Sequence, residues 1–193
     1  MKTTKFLYIA LVFISVLSCT KTKPEPDNIF RFKEYIAFNT FGEVSIASPI
    51  RVVLDQPTDQ YQNNQEIPSE YLVINPKTEG SFYIENGSTL LFKPQEPLRP
   101  DTEYSVTLKL SRFFEDIDPE YKNYTFRFKT ITPNFKLNLG NLQSYSKEWQ
   151  YLTGSVETSD QVDATLASQL VRASQEGKNL HIDWPNEQQN GTF

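Results

Sequence analysis

Between Asn28 and Thr132 apolar residues recur at every second position. That is the spacing of strands with one buried face, not the 3.6-residue spacing of a helix. Ile50, Val52 and Leu54 alternate with Arg51 and Asp55, and Tyr71–Ile74 is a short β-rich run before Asn75-Pro76. Ser81–Ile84 and Thr89–Phe92 flank Glu85-Asn86-Gly87-Ser88. Asn-Gly between two such runs predicts a hairpin, because both residues tolerate positive φ. Tyr104, Val106, Leu108 and Leu110 alternate with Ser105, Thr107 and Lys109, and Tyr124, Phe126 and Phe128 with Thr125, Arg127 and Lys129. One more strand is expected within Phe30–Phe38. About seven short strands with Pro, Gly and Asn turns between them fit an antiparallel sandwich, which buries one face of each.

After Thr132-Pro133 the pattern changes. Phe135, Leu137 and Leu139 predict a strand, and Glu148–Thr158 another. Ser159–Ser174 takes helical spacing, with Val162, Leu166, Leu170 and Ala173 on one face, Ser159 or Asp160 capping its start and Gly177 its end. Lys178–Trp184 returns to a strand with Leu180, Ile182 and Trp184 on one side, Asn186–Gly191 is a turn, and Thr192-Phe193 begins one more strand. A unit this small leaves sheet edges and one apolar face open, so residues 133–193 are expected to be the opening of a larger, here truncated, domain. The fold class expected is mainly β: a sandwich over 28–132, then an incomplete α+β unit with one short helix.

The first residues are an address. Lys2 and Lys5 precede a largely apolar run from Phe6 to Leu17, shorter than the roughly 20 residues of a spanning helix and suited to a secretory signal. It ends in Val16-Leu17-Ser18-Cys19. Aliphatic residues, a small residue and then Cys resemble a bacterial lipoprotein signal. The resemblance implies cleavage between Ser18 and Cys19 and lipid on the Cys19 thiol. Residues 1–18 are then the signal. Residues 19–27, with two prolines and no large apolar side chain after Cys19, are a tether. Each buried acyl CH₂ contributes about 0.8 kcal/mol, so several chains on one Cys anchor firmly.

Composition narrows the function classes. The chain has 193 residues, with 19 Lys+Arg against 24 Asp+Glu, a net charge of −5 that falls to −7 once Lys2 and Lys5 leave. No basic stripe exists to neutralise phosphates, so nucleic acid is not an expected partner. A single Cys excludes a disulfide framework, a Cys-rich zinc site and a CxxC redox pair. No cofactor is implied; there is no Gly-rich phosphate loop and no GxGxxG.

Two resemblances follow. Leu90-Leu91-Phe92-Lys93-Pro94 and Leu98-Arg99-Pro100-Asp101-Thr102-Glu103-Tyr104-Ser105-Val106 are similar to the signature of bacterial Ig-like domains, as are Pro49–Val52 and Phe126–Thr130. The physical reading agrees: Pro100-Asp101 makes a turn, and Tyr104 buries its ring while its hydroxyl reaches backbone. Further on, Leu152, Gly154, Val156, Thr158, Ser159, Asp160, Gly177, Leu180, Ile182, Trp184 and Phe193 resemble the start of bacterial α-2-macroglobulin family proteins. Those are large membrane-tethered protease traps with a bait region and, in many, a Cys-x-Glu-Gln thioester. This sequence has no CxEQ, so the resemblance implies an N-terminal part without the trap's chemistry.

Candidate chemistry is sparse. His181, the one His, is either a catalytic base or a solvent-facing strand residue; no G-x-S-x-G accompanies it, which favours the second. Glu115, Asp116, Asp118 and Glu120 cluster in one loop; Asp116, Asp118 and Glu120 are a weak calcium candidate, against a solvated loop that keeps sheet ends apart. Phe113-Phe114 is either an exposed patch or, as favoured, a strand end in the core. Trp149 and Trp184 are either sugar-stacking or, as favoured, core or interface residues. Asn86, Asn123 and Asn190 match glycosylation acceptors but are read as turn residues. The expectation is a non-catalytic stalk, lipid-moored through Cys19 on an outer membrane facing the periplasm, and holding a protease trap through further domains. The alternative is an Ig-like envelope lipoprotein that binds glycan or protein.

Overall fold

The computed structural model describes residues 26–147, 149–162 and 168–184. Nine strands build the first unit: β1 (Ile36–Asn39), β2 (Glu43–Val44), β3 (Ile50–Leu54), β4 (Gln65–Ile67), β5 (Leu72–Asn75), β6 (Gly80–Glu85), β7 (Thr89–Pro94), β8 (Glu103–Lys109) and β9 (Asn123–Thr130). One sheet runs β1-β3-β7-β6-β4 and the other β2-β9-β8-β5. All pairs are antiparallel except β2 with β9, which is parallel. Between the sheets lies one core. Ile50, Val52, Leu54, Phe82, Ile84, Leu90 and Phe92 face Leu72, Tyr104, Val106, Leu108, Tyr124, Phe126 and Phe128, all buried. Each full burial of such a side chain stabilises by about 1.5–3 kcal/mol.

The sequence pattern predicted six of the strands closely, β3 and β5–β9, and set a seventh within Phe30–Phe38, of which only Ile36–Phe38 is strand. Phe30–Tyr35 is a run of turns, and the first strand starts only at Ile36. The reason is Phe32: its ring is buried, and Tyr35 and Ile36 donate to its carbonyl, so the chain coils to insert it. Strands β2 and β4 escaped the pattern because each is two or three residues long with a single apolar side chain. The Asn86-Gly87 hairpin is present, both residues at positive φ (53° and 69°) with Ser88 N–H donating to the Glu85 carbonyl.

Past the sandwich, β10 (Phe135–Leu139) pairs with β13 (Gly154–Thr158), and β11 (Gln143–Ser144) with β12 (Gln150–Tyr151). Gly140 N–H donates to the Thr153 carbonyl at 2.8 Å and Tyr145 N–H to the Trp149 carbonyl at 3.2 Å. The four strands form a single antiparallel ribbon, with its register shifted by one residue near Leu142 and Leu152. The continuous strand expected over Glu148–Thr158 is therefore split. A small hairpin, β14 (Ser174–Gln175) with β15 (Lys178–Asn179), follows.

Four expectations here are corrected. Among the described residues of the expected helix, 159–162 and 171–174 are not helical and 168–170 are, while 163–167, with Leu166, lie outside the described residues. Ser159 and Asp160 do not cap a helix, because their side chains bond across the chain instead. Gly177 (φ +76°) sits in the β14–β15 turn beside Glu176 (φ 48°), not at a helix end. The strand expected over Lys178–Trp184 stops at Asn179, where the two-residue β14 stops too. The expected turn at 186–191 and strand at 192–193 lie outside the described residues.

A prediction follows from the tight β6–β7 crossing. A Cβ on Gly80 would meet the Lys93 carbonyl oxygen at 2.3 Å and the Phe92 ring at 2.6 Å. Gly80→Ala is expected to cost about 1–3 kcal/mol, read as a lower denaturant midpoint at unchanged slope. Gly42, with nothing within 4 Å of such a Cβ but φ +69°, is expected to lose only about 1 kcal/mol on the same change. Equal losses would contradict this packing.

Candidate interaction surface

Two ends of the sandwich hold the groups that could serve function. At one end the N-terminal segment is stapled down. Asp27 N–H donates to the Thr125 carbonyl and Thr125 N–H to Asp27 Oδ2, both at 2.7 Å. Arg31 pairs with Glu120 at 2.5 Å and lies over the Tyr121 ring at 5.3 Å. Beneath them the buried Tyr124 hydroxyl donates to Asn39 Oδ1 at 2.8 Å, and Asn39 Nδ2 donates to the Thr40 carbonyl. Burial first, and the Asp27 charge second, push the Tyr124 phenol up to about 12.

This staple disperses the acidic loop. Glu120 is spent on Arg31, and the Asp118 carbonyl accepts from Tyr121 N–H in a 3-10 turn. Among the described residues no group of three His, Cys, Asp or Glu side chains converges on a common point. Phe113 is in the core, as favoured, and Phe114 packs on its margin against Tyr35.

At the other end lies the turn that carries the Leu98–Val106 motif. Arg99 N–H donates to the Tyr104 hydroxyl at 2.9 Å, as the sequence led us to expect, and the Tyr104 ring stacks on Phe128. Thr130, fully buried, closes the knot. Its Oγ1 accepts from Thr102 N–H (2.9 Å) and donates to the Arg99 carbonyl (2.6 Å). Asp101, at φ 47°, binds Lys129 Nζ at 2.6 Å and the Thr132 hydroxyl at 2.7 Å. Lys129 first and Thr132 second hold its carboxyl below the usual value. The chain leaves the sandwich here.

What leaves is the ribbon, and its surface is unusual. Phe135, Leu137 and Leu139 share one face of β10, with Thr158, Val156 and Gly154 directly opposite on β13. Phe135 is 72% exposed, Leu139 57%, and Leu142, beyond the register shift, 63%. At the tip Tyr145 and Tyr151 stack with hydroxyls 3.2 Å apart. Trp149, expected in a core or interface, is 76% exposed at that tip. Two strands alone give it nothing to pack against. The polar face carries Lys136 and the Asn138–Glu157 hydrogen bond at 2.9 Å. Sequence reading named β10 and, within Glu148–Thr158, the returning β12 and β13, but missed β11 and the pairing, because the tip has few apolar residues in register.

The remaining candidates are scattered. His181 is exposed and pairs with Asp183 at 2.8 Å. With Ser168, Arg172, Leu180 and the half-buried Trp184 it lines an open hollow of about 420 Å³. Asn86 and Asn123 lie at a turn and at the start of β9. Ser18, Cys19, Asn190 and Phe193 lie outside the described residues.

Comparison with known proteins agrees with the sandwich. Residues 31–130 match the bacterial Ig-like domain family, and the chain belongs to it. A hyaluronidase of Dolichovespula maculata is 31% identical over 86 residues, 42% of this chain, and the chain spans 23% of that protein's length. L,D-transpeptidase 3 of Mycobacterium tuberculosis, crystallised with a faropenem-derived adduct, aligns over 83% of this chain and 55% of its own at 12% identity, with a TM-score of 0.38. A second crystal structure of that enzyme gives the same identity and TM-score. Overlap at that level carries no inference of activity.

The staple predicts an alkaline limit. Folded Tyr124 keeps its proton up to about 12, whereas the unfolded phenol loses it near 10. Its contribution is therefore complete below about pH 10 and lost as pH rises through about 12, on the order of 2 kcal/mol over the window. Tyr124→Phe is expected to cost about 1 kcal/mol at neutral pH and to flatten the alkaline loss in a denaturation series. An equally steep loss in the variant would contradict the assignment.

Proposed function

We propose that the chain is a non-catalytic, lipid-moored module of the cell envelope. Its Ig-like sandwich spaces a membrane tether from a ribbon that docks a neighbouring β-rich domain. The single observation that carries this is the apolar ribbon face, Phe135, Leu137, Leu139 and Leu142, exposed beside a sandwich whose own core is filled. An isolated two-stranded ribbon is marginal in water, so a face of this kind is built to be covered.

Other features support the reading. Tether and ribbon meet the sandwich on the same strand, at Thr125 and past Thr130, about 17 Å apart along β9. The net charge of −7 left once Lys2 and Lys5 are removed with the signal would repel an anionic membrane, so attachment falls to the Cys19 lipid. The finer form of the proposal is the foot of an α-2-macroglobulin-like protease inhibitor on an outer membrane facing the periplasm. It rests on the resemblance at Leu152–Asp160, of which Gly154–Thr158 is strand β13. Under that reading proteases are partners of further domains, not of this module.

Cys19→Ala is expected to move the protein from the detergent to the aqueous phase on Triton X-114 partition; unchanged partition would overturn the anchor. The polypeptide carrying this sequence in cells is expected to run far above 22.3 kDa on an immunoblot. A band at that mass would overturn the macroglobulin form and leave the envelope-binding alternative.

A further inference from the structure

The run Thr158-Ser159-Asp160 stands where the ribbon returns to the sandwich. Ser159 closes the ribbon's base: its N–H donates to the Asn134 carbonyl at 3.0 Å and its hydroxyl to the Thr132 carbonyl at 3.0 Å, while Asn134 N–H donates to Ser159 Oγ at 2.9 Å. Asp160 then crosses to the other unit. Its Oδ2 accepts from Ile46 N–H at 2.8 Å, and its Oδ1 from Gln161 N–H at 2.7 Å. The Ser45 side chain stands beside the same carboxylate.

Burial pushes this carboxyl up. The Ser45 hydroxyl and the Ile46 and Gln161 N–H groups outweigh that and hold it below the ordinary value, the mark of a carboxylate satisfied as an ion. The segment it grips is itself fixed. Val44 lies beside Thr130 in the β2–β9 pair, Ile131 N–H donates to the Val44 carbonyl and Leu98 N–H to the Ile46 carbonyl. Asp160 therefore bonds to a part of the sandwich already held by β9 and by the Leu98 turn.

The strands of the two units share no sheet, so no ladder sets the angle between them. We propose that Ser159 and Asp160 form an orientation lock: Ser159 squares the ribbon's base, and the Asp160 carboxylate pins that base to the 45–46 backbone, fixing the direction in which the apolar face points. A docking face held at one angle binds without the ordering cost of a swinging arm. The lock stands on its own geometry and holds whether or not the chain is lipid-anchored.

The test is a spin-label distance in the full chain on a Cys19→Ser background, with labels at Glu66→Cys on β4 and Gln143→Cys on β11. The lock predicts one narrow distance in the parent and a broad, shifted distribution in Asp160→Ala. Asp160→Asn, which keeps one acceptor oxygen, falls between. The thermal midpoint of the sandwich is expected to be unchanged, because Asp160 lies outside its core. Ser159→Ala, which removes the side-chain bonds to Thr132 and Asn134 at the ribbon's base, is expected to broaden the distribution in the same direction and carries the test should Asp160→Ala misfold. A narrow, unshifted distance in Asp160→Ala, or in Ser159→Ala in that case, would overturn the lock, as would a parent already broad.

Discussion

Strand β9 is the constraint to which the other parts are referred. On one side its Tyr124, Phe126 and Phe128 fill the core against the opposite sheet. Along its edge Thr125 receives Asp27, and Lys129 and Thr130 receive β2. At its end the Thr130 hydroxyl ties Arg99 and Thr102 in a site with no access to water. Leaving such a group unpaired costs about 1–3 kcal/mol, so the turn and the strand end fix each other. A displacement of β9 would unseat the Asp27 staple, the core and the chain exit together.

Under the proposed reading, that arrangement makes a spacer of the sandwich. Its polar groups are turned to internal closure: Asn39 to Tyr124, Thr130 to the Arg99 turn, Asp101 to Lys129 and Thr132. Its aromatics pack on one another, Phe32 on Tyr124 and Tyr104 on Phe128. The ribbon differs in kind. Its backbone bonds are made within itself, while its apolar side chains are left in water, which places the interaction energy of the molecule in that element.

The legible parts of the sandwich were those where one physical rule acts alone. Period-two alternation marked β3 and β6–β9, Asn86-Gly87 marked a hairpin, and the Leu98–Tyr104 spacing marked a buried phenol bonded to backbone. Illegible were the elements set by distant partners. Residues 30–35 carry β-favouring aromatics yet coil to insert Phe32. Ser159 and Asp160 look like helix caps in isolation, and local spacing gives no hint that Ile46 stands opposite. Trp149 reads as core or interface because it sits in a β-patterned run, and of these the core is excluded by its 76% exposure on a ribbon with no second layer. Glu120 sits among carboxylates in sequence and beside Arg31 in space.

The central claim is a contrast: the sandwich stands alone, and the ribbon waits for a covering partner. Native-state amide hydrogen exchange on the isolated chain reads both in one experiment. The account predicts that the amides of Thr125, Lys129 and Thr130 exchange only through global unfolding, while those of β10 and β13 exchange through local opening at far lower free energy. Ribbon amides as protected as those of β9 would show a second self-sufficient body and contradict the account.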